Sequence, residues 1–344
     1  MNSILNISTV TPVYNGSAYL RDLTKELDLL RLYFLKNSNS IRLLEAIFVI
    51  DDCIDDSLEV LEEIKELHKW IRIIVLSKNF GQHPATVAGF LYSSGDWVIS
   101  LDEDLQHHPK FIIELLYKCV FVSCDICYAS STNPIHKSFL RDKVSITFKK
   151  FVGVIASNKN VKNFNSFRVI RGSIARAAAA ICRHDTYLDI ALSWFTKRIC
   201  TKVVSLNDIR FQEASVSGYS IMSLLRHAKR MIMSSKFKFL RSGIFIGIFA
   251  FTLSVIVGSY SLLTRILEFD LIGIKGWSSI MTSIFFFGGL LSLMVGFILE
   301  SVSDILINMN GKPTFYVIDR TTDKNLLKEL ERLMTNEGIY DTQP

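Results

Sequence analysis

The sequence predicts an α/β fold: a Rossmann-like, mostly parallel sheet with helices on both faces, followed by an amphipathic juxtamembrane helix and two transmembrane helices. Three observations predict it. Strand-like and helix-like runs alternate from Ile4 to Ser130, the pattern of a parallel sheet with crossover helices. Four of the strand-like runs end in polar clusters. Two long runs after residue 242 carry no charge at all.

The elements follow in order. Ile4 to Val13 is β-rich and stops at Pro12-Val13-Tyr14-Asn15-Gly16, a turn-forming cluster. Leu20, Leu23, Leu27, Leu30 and Phe34 recur at helical spacing over Leu20–Leu35. Ala46–Ile50 is a short apolar strand closed by Asp51-Asp52-Cys53-Ile54-Asp55-Asp56-Ser57. Helix Leu58–His68 and strand Ile71–Leu76 come next, and Asn79-Phe80-Gly81-Gln82-His83 opens a helix through Ser93. Strand Trp97–Leu101 ends abruptly at Asp102-Glu103-Asp104-Leu105-Gln106-His107-His108-Pro109. Helix Phe111–Val122, strand Asp125–Ser130, a basic and weakly patterned stretch from Asn133 to Lys162, and the strand-like Asn163–Ile170 follow. Helix Ser173–Cys182, the apolar Ile190–Phe195 and strand Lys202–Ser205 complete the sheet region. No GxGxxG, internal repeat or low-complexity segment occurs.

A hydrophobic fraction of 49% is high for a soluble chain of 344 residues, and the excess gathers after residue 242. The net charge of +6 comes largely from Lys137–Arg141, Lys149-Lys150 and Arg226–Arg241. Such clusters suit anionic phosphates or a membrane surface, and no interleaved aromatic-basic array points to nucleic acid. The six cysteines are irregularly spaced, and Cys124-Asp125-Ile126-Cys127 has no second Cys/His pair at zinc spacing. They read as reduced core thiols in a cytoplasmic setting. The N-terminus has neither a basic nor an apolar signal region, so the sheet domain is expected to stay in the cytoplasm.

Ser217-Gly218-Tyr219-Ser220 is a turn leading into residues 221–241, where Arg226, Lys229, Arg230, Lys236, Lys238 and Arg241 stand among Leu, Met and Phe. That reads as a helix lying on an anionic membrane surface. Ser242–Thr264 and Gly276–Leu299 carry no charged residue, and each exceeds the ~20 residues that cross a ~30 Å hydrocarbon core. The basic flank of the first run puts that side in the cytoplasm. Residues 265–275 become a short periplasmic or lumenal loop, and 300–344 return as a cytoplasmic tail. Ser259 and Gly243, Gly247, Gly258, Gly288, Gly289 and Gly296 are small residues of the kind that let helices pack closely, a weak pointer to a homo-oligomer.

In open α/β sheets, ligands bind outside the carboxyl ends of the strands. There the chain places Pro12, Tyr14 and Asn15, then Asp51 and Asp52, then Asn79 and Gln82, then Asp102, Asp104 and Gln106. Two Asp at i and i+2 with a nearby amide oxygen offer a hard, oxygen-rich site to Mg²⁺ or Mn²⁺ carrying a diphosphate. The same triplet also reads as a solvated strand-to-helix turn. Tyr14 can stack on a base, Asp52 can accept from base N–H groups, and Asp102 can meet the ribose or the diphosphate.

On these motifs the sequence resembles the family 2 glycosyltransferases of GT-A fold. Within them it resembles the polyprenyl-phosphate type, which includes dolichol-phosphate mannose synthase and the bactoprenol glucosyltransferases of O-antigen (lipopolysaccharide) modification. The anchors are Pro12-Val-Tyr-Asn, Ile50-Asp-Asp, Lys78-Asn-Phe-Gly-Gln-His, Leu101-Asp-Glu-Asp-Leu-Gln-His, Ser166-Phe-Arg, Ser217-Gly-Tyr-Ser, and Phe287-Gly-Gly-Leu through Gly296 and Glu300 to Gly311-Lys-Pro-Thr-Phe-Tyr-Val. The resemblance implies a cytoplasmic GT-A domain over residues 1–220 in a bacterial inner-membrane protein. It implies inverting transfer of a sugar from a nucleotide sugar to undecaprenyl or dolichyl phosphate, for surface glycan synthesis or modification. Pro12, Tyr14, Asn15, Asp51, Asp52, Asn79, Gln82 and Asp102 would hold the donor. Asp104 and Gln106 would hold the metal, and Lys137, Arg141, Arg168, Ser217 and Tyr219 the acceptor phosphate. Asp102, Asp104 and Arg168 would carry the chemistry.

The chain departs from that pattern at Gly16, where many relatives have Glu, at Cys53-Ile54, and at Ser166, where many have Asp. A lipid phosphate, with a second pKa near ~6, is already a dianionic nucleophile at neutral pH, so no base is assigned. Two other readings stay open. One is a glycan-assembly transferase acting on a hydroxyl of a lipid-linked saccharide, which needs a base near Ser166 or in Asp185–Asp189. The other is a non-catalytic membrane tether.

Overall fold

The computed structural model describes residues 4–131, 164–183, 186–204, 238–266, 277–309, 320 and 322–335. They divide between two compact units. The first holds a seven-stranded sheet in the order β3-β2-β1-β4-β6-β5-β7. Its strands are β1 (Leu5–Val13), β2 (Ile41–Ile50), β3 (Ile71–Val75), β4 (Trp97–Ser100), β5 (Ile126–Ser131), β6 (Arg168–Arg171) and β7 (Ile199–Val204). β1 pairs in parallel with β2 and β4, as does β2 with β3 and β5 with β7, whereas β6 runs antiparallel between β4 and β5. The expected mostly parallel α/β sheet is therefore observed, with β6 the reversed strand.

Helices α1 (Ser17–Asn37), α2 (Ser57–Leu67), α3 (Gln82–Tyr92), α4 (Phe111–Phe121), α5 (Gly172–Ile181) and α6 (Leu188–Phe195) connect the strands. One apolar cluster joins β1, α1, α2 and α4, with Leu20, Leu23, Leu27, Leu30 and Phe34 all buried as their spacing requires. A second cluster on the opposite face joins α3, α5 and α6 through Phe90, Ala175, Ala178 and Leu192. β2 begins five residues before the apolar run Ala46–Ile50. Its extension carries Glu45, a buried charge that apolar patterning does not reveal. Glu45 is neutralised by Arg72 at 2.6 Å and accepts from Ser8 Oγ at 2.8 Å and Ser94 N at 2.7 Å.

Cys127 and Cys200 are neighbours in the β5–β7 register. All six cysteines are free, and burial pushes the Cys124 thiol up to about 12. Cys119 and Cys127 are buried in the core, and the other four are half-buried at its margin.

The tail holds the largest departure from expectation. Helix α9 (Asp323–Thr335) is part of the first unit's core, with Leu326, Leu330 and Leu333 buried against α1 and α4. Tyr33 Oη donates to Leu333 O at 2.8 Å, and Ser38 Oγ to Glu329 Oε1 at 2.6 Å. At the amino edge of the sheet, Asp125 receives Arg320 at 2.5 Å, Arg171 at 3.3 Å and Thr196 Oγ1 at 2.6 Å. Asp323 receives Arg171 at 2.8 Å, and the Arg171 guanidinium lies 4.7 Å from the Trp97 ring centroid. Each buried charge is thus paired.

The second unit is a pair of long helices, α7 (Lys238–Ile266) and α8 (Trp277–Met309). Among the described residues, one stretch, Thr282–Val302, is long and apolar enough to cross a membrane. The expected span at 242–264 falls within α7, whose apolar stretch Gly247–Tyr260 is shorter. Both helices present apolar side chains outward, among them Phe245, Phe249, Ile256, Phe287, Leu291 and Ile298. A Cβ on Gly247 would lie 2.5 Å from Leu293 Cα, and one on Gly289 would lie 2.8 Å from Phe251 Cα. The small residues expected to mediate oligomer contacts here let α7 and α8 of one chain approach each other. The amphipathic segment 221–241 lies outside the described residues up to Lys238.

Because α9 belongs to the core, Leu330→Ala should destabilise the protein by about 2–5 kcal/mol, as for other buried leucines. Lys328→Ala, on the exposed face, should change it by less than ~0.5 kcal/mol. Denaturant melts of the full chain in detergent check both, and equal effects would contradict the core role.

Candidate active site

Because β1, β2, β3 and β4 run parallel, their carboxyl ends share one edge. Antiparallel β6 brings Ser166 and Phe167, just before its first residue, to that edge as well. Asp102 is the meeting point. Its Oδ1 accepts Gln82 Nε2 at 2.7 Å from the start of α3, and its Oδ2 accepts Ser166 Oγ at 2.8 Å. Its own N–H donates to His107 Nδ1 at 3.1 Å. That bond uses Nδ1 as the acceptor, so the 3.5 Å approach of Nδ1 to Asp102 Oδ2 is proximity and not a hydrogen bond. His107 is buried and stacks on Phe167 at 5.0 Å between centroids.

Asp104 is buried, and its Oδ1 accepts Gln106 N–H at 3.3 Å across Leu105, which adopts φ +60°. Asp102, Asp104 and Gln106 thus lie in one short turn and offer hard oxygen donors. Among the described residues no group of three or more His, Cys, Asp or Glu is arranged to hold a metal by itself. Mg²⁺ and Mn²⁺ sites built around a diphosphate need one or two carboxylates, with water and phosphate oxygens completing the shell. The turn fits that requirement.

The two aspartates after β2 have opposite fates. Asp51 is buried, and its Oδ1 and Oδ2 accept the N–H groups of Phe80 at 2.7 Å and Gly81 at 2.6 Å. Expected as a donor contact, Asp51 instead holds the 79–81 loop in place, because two backbone N–H groups engage its carboxylate. Asp52 takes φ +54°, a left-handed conformation that Asp tolerates, and its side chain is exposed at the edge. Tyr14, Asn15, Asn79 and Gln82 are exposed there too. Pro12 is not. It is buried in β1, on the side where pairing with β4 has already ended, since Val10 O accepts Leu101 N–H and Val13 O turns to Asp51 N–H. The missing N–H is tolerated at that position, and Pro12 is a framework residue.

Arg168 is likewise absent from the edge. It is buried, ion-paired with Asp189, and stacked 5.7 Å over Phe90. Asp189 also accepts Tyr128 Oη at 2.7 Å. The guanidinium expected to meet an acceptor phosphate therefore joins β6 to α6. Lys137, Arg141, Ser217 and Tyr219 lie outside the described residues.

Three partners were missed from sequence: Ser166, His107 and Glu103. Ser166 and His107 stand inside quoted motifs, yet their shared contact with Asp102 depends on β6 running backwards. Glu103, also buried, accepts Tyr14 N–H at 3.0 Å on Oε2 and Asn15 N–H at 3.4 Å on Oε1. Gly16 N–H goes to Ser57 Oγ at 3.1 Å and Ser17 N–H to Asp55 Oδ2 at 2.9 Å. Four successive N–H groups entering α1 are thus taken by the protein's own side chains. These four N–H groups are therefore not presented to a phosphate as those of a glycine-rich Rossmann turn are.

Residues 8–178 match the family model Glycosyl transferase family 2. They form a family 2 glycosyl transferase domain. The chain is 28% identical to an uncharacterized glycosyltransferase of Synechocystis over 92% of this chain and 95% of that one. It is 24% identical to a prophage-derived bactoprenol glucosyl transferase of Shigella flexneri over 91% and 97%. It is also 24% identical to an undecaprenyl-phosphate 4-deoxy-4-formamido-L-arabinose transferase of Pseudomonas aeruginosa over 95% and 94%. A crystal structure of glucosyl-3-phosphoglycerate synthase from Mycobacterium tuberculosis has a TM-score of 0.44 at 13% identity, covering 67% of this chain and 78% of that one.

Asp55 offers a pH test of the loop framework. Burial alone would raise its carboxyl, but hydrogen bonds from Ser57 and Ser17 outweigh that and hold it below the usual range. A carboxylate depressed in the folded state stabilises above its unfolded pKa of ~3.9 and loses that contribution as pH falls through its folded value. Asp55→Ala should therefore cost about 1 kcal/mol at pH 7, with the gap to wild type shrinking below pH ~4. Thermal melts at several pH values check this, and a constant gap would contradict it.

Proposed function

We propose that this glycosyltransferase moves a sugar from a nucleotide sugar to a polyprenyl phosphate, such as undecaprenyl or dolichyl phosphate, at the cytoplasmic face of a membrane. The observation that carries this reading is the extent of the similarity to the bactoprenol and undecaprenyl-phosphate transferases. It covers 91% and 95% of this chain, whereas the family domain stops at residue 178. The match must therefore include most of the α7–α8 hairpin. That hairpin has an apolar exterior, as a lipid-facing element requires.

In this reading both α7 and α8 span the bilayer of the bacterial inner membrane, with residues 221–241 on its surface and 265–275 on the far side. The seating of α9 in the core of the sheet unit supports a tail in the same compartment as the sheet. The donor lies along the carboxyl edge, with its base near Tyr14 and Asp52 and its diphosphate near Asp102 and Asp104. Asp104 and Gln106, with Asp102, would hold Mg²⁺ or Mn²⁺, which when bound supplies positive charge to the leaving diphosphate. Gln82 and Ser166 fix the orientation of Asp102, so its charge is preorganised. The acceptor phosphate is a dianion near neutral pH. It attacks the anomeric carbon in line with the departing diphosphate and inverts the configuration, with no side chain needed as base. Lys137 and Arg141 remain the proposed cations for that phosphate.

The hydroxyl-acceptor reading needs a free carboxylate. Of the two places named for it, the Asp185–Asp189 segment offers Asp189, which is bonded to Arg168 and Tyr128, with Asp185 outside the described residues; near Ser166 stands Asp102, which the present reading gives to the donor.

Membranes carrying the protein, given labelled nucleotide sugars, polyprenyl phosphate and Mg²⁺, should yield an organic-extractable, mild-acid-labile product. Asp104→Ala should lower the rate by at least about 10²-fold, as expected for a group acting on transition-state charge, without lowering the melting temperature by more than a few degrees. Label appearing only on oligosaccharide or protein would refute the acceptor. Unchanged turnover in Asp104→Ala would refute the site.

A further inference from the structure

The central residue of Asp102-Glu103-Asp104 faces away from its neighbours. Asp102 meets Gln82 and Ser166, and Asp104 meets Gln106, whereas Glu103 reaches across to the loop that carries Tyr14. We propose that Glu103 is a positioning residue that sets the nucleoside grip of the donor site by tying the Tyr14–Asn15 backbone to the turn that holds the diphosphate. The inference rests on the donor-site reading above and deepens it.

Three observations carry it. Glu103 is only 8% exposed, and each oxygen takes one backbone N–H, 3.0 and 3.4 Å away. Hydrogen bonds to an ionised acceptor are the stronger kind, and a buried one has no water to replace it. Second, the approach depends on Gly16, where an added Cβ would lie 2.6 Å from Glu103 Oε2 and 3.1 Å from its Cδ. Any larger residue at 16 must displace the carboxylate. Third, the β2–α2 loop closes on the same point. Cys53 Sγ donates to Val13 O at 3.3 Å, Ile54 N–H to Tyr14 O at 3.3 Å, and burial together with Asp55 and Glu103 pushes the Cys53 thiol up to about 11. The exposed Tyr14 and Asp52 side chains thus project from two loops whose backbones meet beside Glu103. Loosening Glu103 frees the nucleoside-facing groups and leaves Asp104 and Gln106 on their own turn.

An ordinary helix-capping role would weaken every ligand equally or only lower stability. The test is therefore a comparison of two ligands by calorimetric titration of the full chain in detergent with Mg²⁺. UDP and GDP report on the whole nucleoside diphosphate site, and inorganic pyrophosphate reports on the diphosphate half. Glu103→Gln keeps the volume but turns an amide donor toward an N–H. It should raise the Kd of the nucleoside diphosphate that binds wild type by about 10-fold or more, as expected for a lost charged hydrogen bond, while pyrophosphate changes by less than about 3-fold. Gly16→Ala should reproduce the pattern with Glu103 intact. The double variant should be no worse than the more affected single one, because both disturb one contact. Unchanged nucleoside diphosphate affinity in both singles, or equal loss of pyrophosphate, would overturn the proposal. A wild-type chain that binds pyrophosphate but neither nucleotide would also overturn it. A wild-type chain that binds none of the three would overturn the donor-site reading itself.

Discussion

Parallel pairing of β1 with both β2 and β4 is the constraint on which the rest depends. A parallel ladder puts every carboxyl end on one side and hands each crossing to a helix packed on a face. The loops that follow those strands then open on one edge. Asp51, Asp52, Asp102 and Asp104 are there because apolar strands Ile47–Ile50 and Trp97–Ser100 end there. Reversal of β6 adds Ser166 from the opposite direction. The edge is a convergence of loops held by side-chain-to-backbone bonds, and charge is arranged on it before any ligand arrives.

Much of the frame was legible in the sequence because burial imposes periodicity. The helix over Leu20–Phe34 and the strand over Trp97–Ser100 show their apolar pattern directly. What spacing could not separate were neighbours of identical chemistry. Asp51 and Asp52 differ by one residue, yet a single left-handed φ at Asp52 sends one outward while the other closes the 79–81 loop. Arg168, in the Ser166-Phe-Arg motif, is expected at the acceptor phosphate on the resemblance alone. It pairs instead with Asp189, whose position depends on how α6 packs. Pro12 looked like a surface contact at a strand end, and only the unequal lengths of the β2 and β4 ladders explain its burial. Long-range pairs of this kind leave no local trace.

The tail makes the same point in the other direction. Leu326, Leu330 and Leu333 carry a plain helical pattern, but position after an apolar hairpin suggested an appendage. Its burial closes the chain on itself: the hairpin is an excursion from a domain that begins before it and ends after it. Asp125, Arg171, Arg320 and Asp323 lock that return at the edge opposite the candidate site. The pairs that lock the tail and the candidate site thereby occupy different ends of one sheet.

The central claim is that the turn Asp102–Gln106 is where a metal and a nucleoside diphosphate meet. Electron paramagnetic resonance of Mn²⁺ with the full chain in detergent tests this without turnover. The free-ion signal should fall further with protein and nucleoside diphosphate together than with either alone, and Asp104→Asn should abolish that extra loss while Asp22→Asn, on an exposed face of α1, should not. A signal that the Asp104→Asn chain quenches as well as wild type would contradict the account.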